Sequence, residues 1–277
     1  MKKIIASIIC AISLISSCNL NNYVYASENE KSLTQIEEAE INKRMNEYYQ
    51  QNENTMVDFH LLEKIDEPAN EQERQAIQQE IAKIDYDMKS SDKSGISTRD
   101  LSPNAPTGTN NISHTYFASG DMILVHDGYC TYGYWRHAGL YDKYYDNFIT
   151  ATPSQGMTRQ TWTKMHGYDE AIGITTYKYI SGNGDVVTYA RTLLSKQIPY
   201  SIQNANKSSI NYMYCSLVAW KSWEQGTKGK TTTTIPVGGE YYTVNYLEID
   251  NNQGTFCLPD DISVQNSSVT KRFAWSD

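Results

Sequence analysis

The residues best able to do chemistry in this 277-residue chain are a thiol and an imidazole. Cys215 stands in "INYMYCSLVAWKSWEQG", where a Tyr-rich extended stretch gives way to an apolar pattern of helical period. A helix N-terminus stabilises a thiolate through its unpaired N–H groups and the positive end of its dipole. Cys130, in "DGYCTYGY", has no helical pattern after it, and Cys257, in "TFCLPDD", precedes a Leu-Pro pair that keeps the chain extended. Cys215 alone carries a local reason for reactivity. The competing reading is a small buried hydrophobe that happens to open a helix.

The imidazole is His137 in "WRHAGLYD". A thiolate–imidazolium pair needs its two members adjacent in space and imposes no order along the chain. Ala138 and Gly139 are small enough to let backbone or substrate come close, and the alternation of "HAGLYD" predicts a rigid strand under the ring. A third group is expected to orient the imidazole through its other nitrogen. The run Thr150-Ala151-Thr152 lies on the next apparent strand and offers hydroxyls for that role.

These side chains need a scaffold. Short β-prone runs occur at "MILVH" (122–126), "AIGITTYKYI" (171–180) and "YYTVNYLEI" (241–249), punctuated by turn residues at "SGNGD" and "DNNQG". Two helical patterns interrupt them, one over 185–198 and one beginning at or just after Cys215. The expected fold is α+β, an antiparallel sheet packed on helices over 112–277. Ahead of it, 27–94 reads as an acidic helical arm of two helices joined around Asp66–Asn70, and 95–111 reads as a linker of Ser, Asn, Gly and Pro. The arm's apolar stripe (Leu33, Ile36, Ile41, Met45; Ile77, Ile81, Ile84) is thin, so these helices need the main domain or a partner to dock against. A pro-segment over the cleft, a spacer and a partner-binding element are all open for it.

Taken in order, "SGDMILV", "RHAGLYD", "FITATPSQGM", "YCSLVAW" and "FCLPDDI" resemble the permuted papain-like amidases of the YaeF/YiiX type, relatives of the NlpC-type cell-wall peptidases. The resemblance covers about Tyr116 to Lys271. It implies a circularly permuted papain-like fold, with Cys215 as nucleophile and His137 as base. Gly120-Asp121 matches a Gly-Asp that is structural in such relatives. The third catalytic position falls on Thr150, where those relatives often carry a carboxylate, and the departure implies a weaker hold on the imidazolium. Tyr214, Trp135 and Ser216 flank the motifs and are expected to contact substrate. Tyr132, Tyr134 and Trp220 join them as candidates for a cleft wall or, equally, for core packing.

The chain opens "MKKIIASIICAISLIS", two lysines and then an apolar run, the layout of a secretory signal expected over 1–26. "Val24-Tyr25-Ala26" suits ordinary cleavage and "Ile15-Ser16-Ser17-Cys18" resembles a bacterial lipobox, so secretion is expected, with a surface lipoprotein as the alternative. Membrane attachment would follow only from lipidation of Cys18. Three cysteines then remain, too few for a disulfide scaffold. The net charge of −8 argues against nucleic acid, and the arm holds it: 27–94 carries 17 acidic against 8 basic residues.

Neither cofactor nor metal is called for. "GTKGKT" lacks the first glycine of a phosphate loop, and His166 has no second histidine at helical spacing. The expected activity is hydrolysis of an amide bond by a secreted cysteine amidase or endopeptidase, with a peptide or peptidoglycan-like substrate. The alternatives are acyl transfer or thioester hydrolysis on a lipid, and a non-catalytic surface-binding module.

Overall fold

Strand β1 (Met122–His126) shows why the sheet is buried on both sides. Met122 and Leu124 turn to one face and Ile123 and Val125 to the other, and all four are inaccessible to water. The computed structural model describes residues 33–62, 64–65, 68–92, 109–176, 183–237, 240–250, 254–263 and 269–277. The expected signal peptide, Cys18 and most of the linker lie outside the described residues.

Beside β1 run β2 (His137–Asp142), β3 (Asn147–Thr152), β4 (Gly156–Gln160), β5 (Glu170–Thr176) and, last in the chain, β8 (Thr270–Ser276). They form one six-stranded sheet in the order β4-β3-β2-β1-β5-β8, antiparallel throughout. β6 (Thr233–Val237) and β7 (Glu240–Val244) pair as a separate antiparallel hairpin. The fold is therefore α+β. The run expected as one strand over 241–249 stops at Val244.

One sheet face packs on two helices. α5 (Asn183–Ser195) lies against α6 (Cys215–Thr227), and α6 crosses β2 and β3. Gly226 makes the helix contact possible: a Cβ there would stand 2.6 Å from the Val186 Cα. The other face is closed by Phe117, by Trp162 and Met165 of the one-turn helix α4 (Trp162–Met165), and by Phe273. Phe117 meets Trp162 at 5.0 Å and Phe273 at 4.9 Å, both edge-on, the arrangement that ring quadrupoles favour. Before β1, Gly120 takes a positive φ of 94° and the Asp121 carboxylate accepts from the Ala118 N–H (2.6 Å) and the Thr175 hydroxyl (2.7 Å). That pair is a turn that ties β1 to β5.

Among the described residues the arm holds three helices rather than two: α1 (Gln35–Asn52), α2 (Phe59–Leu62) and α3 (Glu71–Asp92). Thr34 and Glu37 close a reciprocal capping box on α1, and Asn70 accepts from the Glu73 N–H at the start of α3. The first break comes earlier than the proline suggests, because 53–58 turns the chain back. Most of the thin apolar stripe docks: Ile41, Met45, Ile77, Ile81 and Ile84 are buried in the same core that covers α5 and α6, whereas Ile36, near the start of α1, faces solvent. Arg272 of β8 pairs with Glu38 at 2.9 Å, and Arg44 reaches Asp277 at 2.6 Å. Lys31–Asp277 form one unit, so arm and sheet share a core. The short helix α7 (Pro259–Ser263) completes the described elements.

Candidate functional site

Cys215 is the first residue of α6, and Tyr214 before it is extended (φ −131°, ψ 170°) and gives no side-chain cap. The helix therefore begins abruptly, with its first-turn N–H groups directed at the sulfur side. His137 is the first residue of β2, where α6 packs on the sheet. The two side chains are hydrogen-bonded to each other, 3% and 8% exposed respectively. Burial on its own would raise the Cys215 thiol. The charge of His137, its hydrogen bond and the N–H groups of Ala138 and Ser216 outweigh that and hold it below its ordinary 9.0. Burial wins at the other two thiols: Cys130 is pushed up to about 12 and Cys257 well above 9.0. All three cysteines are free.

The imidazole is held from its far side. Gln160 Oε1, at the end of β4, lies 2.8 Å from His137 Nε2, so this nitrogen carries the proton and Nδ1 is left to face the thiol. Thr150, expected to orient the ring, makes the longer of two contacts to the same nitrogen. Its hydroxyl donates to the Ala138 carbonyl at 2.7 Å and stands 3.4 Å from Nε2, which makes it a tie between β3 and β2 beside the ring. Tyr168 stacks over the imidazole with its centroid 6.2 Å away and the planes 10° apart. Gly139 makes room for core side chains and not for substrate: a Cβ there would meet Phe148 at 2.8 Å and Met165 at 2.9 Å.

Cys215 and His137 open into a cleft walled by Tyr132, Arg136, Pro153, Gln160, Tyr168 and Tyr200. The three flanking residues expected to touch substrate are all turned inward. Tyr214 is fully buried and its hydroxyl accepts from the Cys257 N–H at 3.0 Å; Ser216 donates to the Cys257 carbonyl at 2.7 Å; Trp135 donates from Nε1 to Ser263 at 2.9 Å. Tyr134 and Trp220 are buried as well, bonded to Glu170 and Glu248. Of the aromatic candidates, Tyr132 alone lines the cleft. Gln160, Tyr168 and Tyr200 were not foreseen. None carries a local signal, since they come from separate segments: the end of β4, the turn after α4 and the chain after α5.

Among the described residues no group of three or more His, Cys, Asp or Glu side chains converges as a metal site. His166 instead lies 2.9 Å from the Ile112 carbonyl. The arrangement can exchange a proton between sulfur and imidazole and present the resulting thiolate beside helix N–H groups, which suits attack on a carbonyl carbon. No protein-family model, curated protein or solved structure matches the chain.

Proposed function

We propose that the protein is a cysteine hydrolase of the permuted papain-like class, exported from a bacterial cell and cleaving amide bonds in peptidoglycan stem peptides. The observation that carries this reading is the contrast among three buried thiols. Cys215, hydrogen-bonded to His137, is the one held below its ordinary value. Export rests on the leader sequence, and the cell-wall substrate on that export together with the family resemblance.

In the mechanism, the Cys215 thiolate adds to the substrate carbonyl carbon. First-turn N–H groups of α6 stabilise the developing oxyanion. His137 passes a proton from Nδ1 to the departing amine, and the C–N bond breaks to leave a thioester. The neutral imidazole then takes a proton from water, whose oxygen attacks the thioester, and the carboxylic acid leaves as the thiolate is restored. Gln160 keeps the ring in one tautomer through both steps.

Comparison of Cys215→Ser with the wild type on isolated cell-wall material, read by mass spectrometry, tests the reading. The wild type is expected to release muropeptide fragments with new amine ends and the variant none. Equal release by both proteins would overturn it. A second reading, hydrolysis of a lipid acyl ester or thioester, rests on the same Cys215–His137 pair, with the aromatic rings of Tyr132, Tyr168 and Tyr200 beside it. Activity on acyl esters with none on cell-wall peptide would select it.

A further inference from the structure

The 127–136 loop between β1 and β2 supplies Tyr132 to the cleft wall and delivers the chain to His137. Buried backbone polar groups must find partners, and most of this loop's partners lie outside it. The Tyr48 hydroxyl of α1 is hydrogen-bonded to both the carbonyl (2.5 Å) and the N–H (2.6 Å) of Cys130. The Asp87 carboxylate of α3 accepts from the Thr131 N–H at 2.6 Å, and the Val57 N–H donates to the Thr131 carbonyl at 2.8 Å. Arg136, adjacent to His137, reaches back to the Asp87 carbonyl at 3.4 Å, while the Tyr132 hydroxyl donates to the Arg136 carbonyl at 2.6 Å. The arm thus grips the loop at its middle and at its catalytic end. None of the residues that line the cleft belongs to the arm.

We propose that the helical arm is a positioning element of the active site: Tyr48 and Asp87 fix the middle of the 127–136 loop, whose end Asp260 holds at Tyr134 and Trp135, and through it the Tyr132 wall and the approach of His137 to Cys215. This deepens the reading of Cys215 and His137 as the reactive pair and rests on it. It reverses the sense of a covering pro-segment, because losing the arm's grip lowers activity and does not release it. Asp87 and Tyr48 are positioning residues, acting through the loop and touching neither substrate nor sulfur.

The test uses the full chain with Asp87→Ala, Asp87→Asn and Tyr48→Phe. The His137 ring signal is followed by NMR across pH and assigned with His137→Gln, alongside kcat and KM on the fragment the wild type cleaves. Asp87→Ala and Tyr48→Phe are expected to move the His137 signal and titration midpoint. They are also expected to cut kcat by roughly 10- to 100-fold with KM changed less than about twofold, the signature of misplaced groups. Asp87→Asn keeps an acceptor oxygen for Thr131 and is expected to stay near wild type. Folded variants with an unmoved His137 signal would overturn the proposal, since an arm that merely stabilises shifts melting and not the ring. If Asp87→Ala does not fold, Tyr48→Phe decides by the same two readouts. A wild type that cleaves no amide defeats the hydrolase reading alone, and the His137 signal still decides the role of the arm.

Discussion

Gln160 Oε1 lies 2.8 Å from Nε2 of His137, nearer than the 3.4 Å between that nitrogen and the Thr150 hydroxyl. The shorter contact identifies which neighbour steadies the ring when it becomes charged. Hydrogen bonds to charged groups are worth about 1.5–3 kcal/mol, so Gln160→Ala is expected to lower kcat by roughly 10- to 150-fold with little change in KM. Thr150→Val leaves the Ala138 carbonyl without its hydroxyl donor, so its effect of about 1 kcal/mol should fall on stability, with kcat held within about threefold. Steady-state kinetics on the two variants checks this; a larger kcat loss in Thr150→Val would reverse the assignment.

Cys215 and His137 were legible because each carries its reason locally. One sits where an extended stretch turns helical, the other on a strand of small residues. Gln160 had no such mark. It is an ordinary polar residue ending a strand, and it meets His137 only once β2, β3 and β4 lie side by side in the sheet. Tyr214, Trp135 and Ser216 misled for a related reason: proximity in sequence to a reactive residue says nothing about which way a side chain faces. Tyr214 precedes α6 in extended backbone and turns under the helix to Cys257. The arm's helices were legible from their isoleucine period, and the break at 53–58 was not, since no Pro or Gly marks it.

The Asp260 carboxyl of the "LPDD" segment accepts from the N–H groups of Tyr134 (2.8 Å) and Trp135 (2.6 Å) and from the Tyr49 hydroxyl. A Cβ at Gly133 would stand 2.8 Å from this carboxyl carbon, so only glycine admits it. Burial pushes the group up to about 6 from 3.8, against the pull of its three donors, with Asp261 adding to the rise. A raised carboxyl is protonated more readily in the folded chain than in the unfolded one. Its stabilising contribution is therefore full below about pH 4 and is lost as pH climbs through about 6, on the order of 2–3 kcal/mol. Melting of wild type and Asp260→Asn from pH 4 to 8 isolates this part, because the other carboxylates cancel in the difference. The gap between the two proteins should change across that window; a constant gap would contradict the assignment.

At Gly226 the neighbour is backbone, Val186 Cα at 2.6 Å and N at 2.7 Å, which cannot swing aside. Alanine would gain about 1 kcal/mol of helix propensity but force α5 and α6 apart, at a cost of about 1–3 kcal/mol. Gly226→Ala is expected to be net destabilising in urea unfolding. Since α6 carries Cys215, thiol reactivity should change with it. A stabilised variant would mean the helices are not in this contact.

The central claim is that His137 and the start of α6 make one thiol reactive while burial silences the other two. Iodoacetamide labelling of the full chain between pH 5 and 9, with each cysteine quantified by peptide mass spectrometry, measures it directly. Cys215 is expected to react with a midpoint below 9.0, to outpace Cys130 and Cys257 at pH 6, and to lose that advantage in His137→Ala. A Cys215 that labels no faster than Cys130 at pH 6, or whose midpoint does not fall when His137 is present, would contradict the account.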